Sequence, residues 1–162
     1  MRDSMDDCIR RLEDIEAIRN LVASYGLLAD RGDAQGVAAL WTEDGSYSVG
    51  DFGDAKGRDQ IGALILSDTH QQLLTEGCGH ILTAPHITLD GDRALAVNHS
   101  VVLRNTGDSH DAWRVSANRW ELVRTDDGWR VQHRFNRPLN GDASARALLG
   151  VEVNLPTGRH RH

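Results

Sequence analysis

The sequence predicts an α+β fold, with helices from the N-terminal half laid against one face of a curved antiparallel sheet. Two observations carry that prediction. Apolar residues recur every three or four positions through the first half of the chain, and from His80 onward the period becomes two. Helices first and a meander of strands afterwards is the order of a segregated α+β domain, not of alternating βα units. A chain of 162 residues is long enough for one domain with a real core, and no repeat or linker divides it. Residues 1–140 are expected to form that domain, and residues 141–162 a loosely packed or partner-dependent tail.

The first helix is predicted from about Ser4 to Ala29, where Ile9, Leu12, Ile15, Ile18, Val22 and Tyr25 form a stripe. Arg10, Arg11, Glu13 and Glu16 fill the opposite face. The "DRGD" run breaks this helix, and Asp33 is a natural N-cap for a short second one, "AQGVAALW". The Gly- and Asp-rich "EDGSYSVGDFGDAKG" reads as a turn, a short strand over Ser46 to Val49, and a loop. Helical spacing returns through Ile61, Leu64, Ile65 and Leu73. After His80, "HILTAPHITLD" and "RALAVNHSVVLRN" read as two strands around a Gly-Asp turn. "WRVSANRWELVRT" and "WRVQHRFNRPL" continue the meander through "DDG".

Lys and Arg total 18 against 24 Asp and Glu, a net charge of -6. A nucleic-acid surface would need clustered positive charge, so that class of partner is not expected. No apolar run approaches the roughly 20 residues that span a bilayer, so no membrane partner is expected. The charged N-terminus lacks a signal-peptide core, which makes a cytoplasmic location the expectation. Cys8 and Cys78 have no metal-type spacing and fall in different elements, so they read as incidental or buried thiols. His, Asp and Glu show no zinc-like spacing, and His160 and His162 in "GRHRH" read as a frayed tail. With no dinucleotide or phosphate-loop glycine pattern either, no cofactor is expected.

Two polar residues stand out against apolar surroundings. Asp30 lies at the end of the first helix, where a negative charge opposes the helix dipole and calls for a partner. His80 opens the first long alternating run. Taken singly, the first reads as a surface helix terminator and the second as a satisfied structural histidine. If they meet, the carboxylate fixes the imidazole tautomer and leaves the other ring nitrogen as a general base usable near neutral pH. They are fifty positions apart, so periodicity alone cannot join them. Among other strand residues, Asn98 and His99 face opposite ways, with His99 toward the surface. His86 reads as solvent-facing, and Trp113 and Trp120 read as core, one of them free to wall a pocket.

Four segments occur in an order that resembles the SnoaL-like branch of the nuclear transport factor 2-like superfamily: "IEAIRNLVASYGLLADRGD", "LWTEDGSYSV", "GHILTAPHITLDGDRALA" and "DGWRVQHRFN". That group holds hexachlorocyclohexane dehydrochlorinase, scytalone dehydratase and bile-acid 7α-dehydratase. The resemblance spans residues 9 to 136 and implies a cone-shaped α+β barrel. It also implies an Asp–His catalytic pair at Asp30 and His80, a pocket tyrosine at Tyr25, and an arginine at Arg134 that completes the set. Tyr25 stands where the dehydrochlorinase has lysine and the bile-acid enzyme tyrosine. By strand parity Arg134 falls on the face opposite Trp129 and Val131, so it reaches the same side only across a bulge. The implied function is a cofactor-independent lyase or isomerase acting on a hydrophobic cyclic small molecule, in a homo-oligomer with trimer favoured over dimer. Two alternatives stay open on the same fold: a non-catalytic ligand-binding or assembly module, and the small subunit of a ring-hydroxylating dioxygenase.

Overall fold

The structure is a computed structural model, and it describes residues 4–153. A long helix α1 (Met5–Arg31) leads into a short helix α2 (Ala34–Ala39), strand β1 (Trp41–Val49), one turn of 3-10 helix and strand β2 (Asp54–Lys56). Helices α3 (Gly57–Ile65) and α4 (Asp68–Glu76) follow. Strands β3 (Cys78–Leu82), β4 (His86–Asp90), β5 (Arg93–Asn105), β6 (His110–Thr125) and β7 (Gly128–Pro138) complete the sheet, and a short helix α5 (Ala143–Ala147) lies beyond it. The sheet order is β2-β1-β7-β6-β5-β3, with β4 also paired to β5. All neighbours are antiparallel except β1 and β7. This is the predicted α+β arrangement of helices against one sheet.

Helix α1 starts with a capping box, Ser4 and Asp7 each accepting the other's backbone N–H, and ends at Gly32 in the left-handed region (φ 74°). Its buried stripe is Ile18, Val22, Tyr25 and Ala29. The stripe does not extend back to Ile9 and Leu12, which are 47% and 65% exposed. The reason is geometric: Asp14 is the residue through which α1 first bonds to the sheet, receiving both Arg124 Nη groups (2.7 Å each) and the Trp129 indole N–H (2.9 Å). The turns before Asp14 project past that edge.

Three further differences from the sequence reading have local causes. The helical run after residue 57 is two helices, because the chain breaks at Leu66 and Ser67 caps the second by accepting His70 N–H. The run from His80 to Asp90 is two strands. Both pair with β5, one beside residues 100–104 and the other beside residues 93–97, with the "TAP" link between them. Pro85 has no N–H to donate to a ladder, so a strand break there is inexpensive. Finally, β1 is nine residues long and starts at Trp41, well before Ser46.

The core lies between the helices and the concave sheet face. Tyr25, Trp41, Tyr47 and Trp120 form an aromatic box with ring centroids 5.6 to 6.3 Å apart. Trp120 is fully buried, whereas Trp113 is 37% exposed, so only one of the two tryptophans expected in the core is there. His86 and His99 are exposed and Asn98 is buried, accepting the Trp120 indole N–H (3.0 Å). After residue 140, α5 is capped by Asp142 and buries Ala145. His160 and His162 lie outside the described residues.

Candidate active site

The mouth of the cone holds a cavity of about 230 Å³, closed on one side by α3 and α4 and on the other by β3, β5, β6 and β7. Tyr25, His80 and Arg134 all line it.

Asp30 reaches this region because of a glycine one turn before it. A Cβ at Gly26 would sit 2.4 Å from the His80 carbonyl oxygen, so only glycine lets α1 lie this close to β3. Asp30, four residues on and on the same helix face, then meets the start of β3. His80 Nδ1–H donates to Asp30 Oδ1 at 2.6 Å, and the His80 backbone N–H donates to both carboxylate oxygens at 3.1 and 2.9 Å. The Cys78 thiol adds a weak donor at 3.7 Å. Burial pushes the Asp30 carboxyl up, but the His80 ring and backbone donors, the electrostatic attraction of His80 and the thiol outweigh it, and its pKa is lowered. Asp30 is therefore an anion whose acceptor capacity is turned toward His80. Because a carboxylate only accepts, the Nδ1 proton is fixed and Nε2 carries the lone pair. Among the described residues nothing bonds to Nε2.

His70 was not anticipated. It is buried on α4, its Nε2–H donates to the Ala29 carbonyl (2.8 Å), and its ring lies against His80 with centroids 5.3 Å apart. Burial lowers its pKa, reinforced by the neighbouring His80 and opposed by the Ala29 bond and by Asp30. At neutral pH it is an uncharged wall that holds the end of α1 and one face of the His80 ring. Burial and then the Asp30 charge push the Cys78 thiol up to about 11, so it stays protonated and is no nucleophile at neutral pH. Asp30, Cys78 and His80 have donor atoms within 4.8 Å of one another, a metal-like grouping. The same atoms are joined by the hydrogen bonds of His80 and Cys78 to Asp30.

Arg134 approaches the cavity from the sheet. Strand β7 carries an extra residue, Gln132: Val131 pairs with Leu122 and His133 with Glu121. That bulge reverses the alternation, so Arg134 joins Trp129 and Val131 on the inner face despite its parity. It is 1% exposed. Its guanidinium carbon lies 3.9 Å from the Trp120 ring centroid, 4.1 Å from that of Tyr25 and 4.5 Å from that of Tyr47. Nε and Nη2 donate to Asn118 Oδ1 (3.2 and 2.8 Å), whereas Nη1 has no partner. Asn118 is fully buried, accepts a third bond from Asn136 Nδ2 (2.8 Å) and donates to Ser100 Oγ (2.8 Å). The structure thus joins Asp30 to His80 and Tyr25 to Arg134; His80, Tyr25 and Arg134 line the cavity, and Asp30 is bonded to His80 without lining it.

A helix-filled cone with a polar cluster at its mouth is the design of nuclear transport factor 2-like, cystatin-like domains. The SnoaL-like domain family matches residues 10–135, and the chain belongs to it. A nuclear transport factor 2-like protein with a cystatin-like fold from Novosphingobium aromaticivorans is similar at 47% identity, over 93% of this chain and 100% of that one, with a TM-score of 0.89. A protein of unknown function from Mycobacterium tuberculosis is 25% identical over 90% of each chain (TM-score 0.74). A candidate dehydratase from Streptomyces avermitilis shares the fold at 18% identity, over 78% of this chain and 96% of that one (TM-score 0.63). No curated protein matches the sequence significantly.

Proposed function

We propose that the protein is a cofactor-independent lyase, of dehydratase or dehydrohalogenase type, or an isomerase, acting on a hydrophobic cyclic small molecule. One observation carries this reading: His80 Nδ1 is bound to an ionised Asp30 at 2.6 Å while Nε2 is unpaired on a residue that lines a cavity. In the proposed step, Nε2 takes a proton from a carbon beside a carbonyl. The C–H electron pair becomes the enolate, and in an elimination it then expels a β-hydroxyl or halide with its own pair. Asp30 stabilises the imidazolium, and Arg134 and Tyr25 face the developing oxyanion. The cavity is slightly smaller than the roughly 300–1,000 Å³ of pockets for drug-sized ligands, which favours one or two rings over a four-ring steroid. The occupant is a small molecule, with no nucleic acid or membrane required. No described helix is long and apolar enough to cross a membrane. A homo-oligomer, trimer before dimer, belongs to the same proposal and is checked by sedimentation.

The test needs no knowledge of the natural substrate. Cyclic ketones, 2-tetralone among them, are incubated with the protein in D₂O, and exchange of the α-hydrogens is followed by proton NMR. Exchange above buffer that disappears in His80→Ala supports the base. Exchange that persists in His80→Ala, or none with any ketone, hands the site to the ligand-binding alternative.

A further inference from the structure

The same cavity carries an unbalanced charge. Two guanidiniums line it, Arg134 in its aromatic cage and Arg114 nearer the surface, and no carboxylate does. Among the described residues neither arginine has an ion-pair partner. Asp51, exposed at the rim, acts on Arg114 only at a distance. Both arginines are held instead by neutral groups. Arg114 donates from Nε to Ser116 Oγ (3.2 Å) and from Nη2 to Asn136 Oδ1 (2.9 Å), and Asn136 leads through Asn118 to Arg134. Amides fix the geometry of a cation without neutralising it. In a chain of net charge -6, with 24 acidic residues to choose from, that is a costly way to line a pocket unless a ligand brings the missing charge.

A backbone irregularity aims Arg114. Val102 pairs with Arg114 and Leu103 with Ala112, so Trp113 is an extra residue in β6. Neighbours on a regular strand face opposite ways; across this bulge Trp113 and Arg114 both line the cavity. The Arg114 guanidinium stacks over Phe52 (5.2 Å), a second lining residue, which leaves its Nη1 edge free.

We infer that Arg114 is a specificity-determining residue that binds a carboxylate on the ligand, so that the natural ligand is a hydrophobic cyclic carboxylic acid and not a neutral ring compound. Arg134 is then left to face the reacting oxygen. This rests on the reading of the cavity as a ligand site, and not on proton transfer by His80.

The experiment compares 2-naphthoate with 2-naphthamide, which have the same shape and differ in charge, by titration calorimetry at neutral pH. The naphthoate is expected to bind about ten- to hundredfold tighter, as a charge-assisted bond warrants. Arg114→Gln should erase that preference while naphthamide binding persists, showing the pocket intact. His80→Ala should keep it. Equal binding of the two compounds to the native protein, binding of neither at millimolar concentration, or an unchanged preference in Arg114→Gln would each overturn the inference. Should Arg114→Gln not fold, the native comparison decides alone. Naphthoate preference without ketone exchange would refute only the proposed chemistry, and exchange without preference only the anion site.

Discussion

Asp30, bonded to the cavity-lining His80, and Arg134, which itself lines the cavity, are charges of opposite sign, and they are held in contrasting ways. Asp30 is half-buried and receives the His80 ring, the His80 backbone and a thiol. Arg134 is fully buried and receives one amide oxygen and three aromatic faces. The first charge is satisfied within the protein and acts by orienting its neighbour. The second keeps unspent capacity, because cation–π contacts stabilise it without occupying its N–H groups. One side is built to move a proton and the other to meet a negative charge.

Substitution should separate the two sides. The largest effect is expected from His80→Ala, which should lower ketone exchange by about 10² to 10⁴ with an unchanged melting temperature. Asp30→Asn should lose most of the same activity, and the double variant should be little worse than His80→Ala, since the two act as a unit. Additive losses would dissolve the pair.

Arg134→Met comes next. It should cost about 10² to 10³ in exchange, the worth of an oxyanion donor. Its melting temperature should hold or rise, because an apolar side chain replaces a buried cation that has no counter-charge. A clear fall in melting temperature would mean that Arg134 is structural, and the contrast with Asp30 would fail.

Gly26→Ala probes the approach of α1 to β3. Alanine favours a helix by about 1 kcal/mol over glycine, while overpacking costs about 1–3 kcal/mol. With a backbone oxygen 2.4 Å from the new Cβ, the clash should win. The variant should melt earlier and exchange more slowly, as Asp30 is pushed from His80. Greater stability with full activity would show that the spacing is not critical.

The smallest effect is a pH dependence. The pKa of His70 is lowered in the folded protein, so the unfolded chain binds the proton more readily. Its contribution is complete above the unfolded value, about 6.5, and is lost as pH falls through the folded value. The melting temperature should therefore drop on acidification below that point, and His70→Gln should flatten the drop. Asp30 and Asp14, also lowered, add a second loss of the same sign below about 3.8.

The α+β class, Asp30 and His80 were legible in the sequence because each shows in a change of local pattern, although β3 begins at Cys78 and His80 is its middle residue, not its first. Their meeting was not; it came from resemblance, and Gly26 is the physical reason for it. Arg134 could not be placed by parity, because a bulge at Gln132 is a property of strand pairing and not of β7 alone. For the same reason Trp113 is not in the core but walls the cavity, the role left open for one of the two tryptophans. His70 was hidden by the helix break at Leu66. A single helix phased on Ile61 and Ile65 would turn residues 68, 69 and 72 inward, whereas the restart at Ser67 turns in His70 and Leu73.

The cage around Arg134 also gives the protein an optical signal of its own. Trp120 has a positive charge 3.9 Å from its ring, in a site closed to water, and Trp113 stands at the cavity lip. Indole emission responds to nearby charge and to polarity. An anion settling beside Arg134 or Arg114 should therefore change the emission colour or yield with no label attached. Trp120→Phe would remove the reporter in contact with Arg134, and Trp113→Phe that of the lip, each read against the background of Trp41 and Trp129.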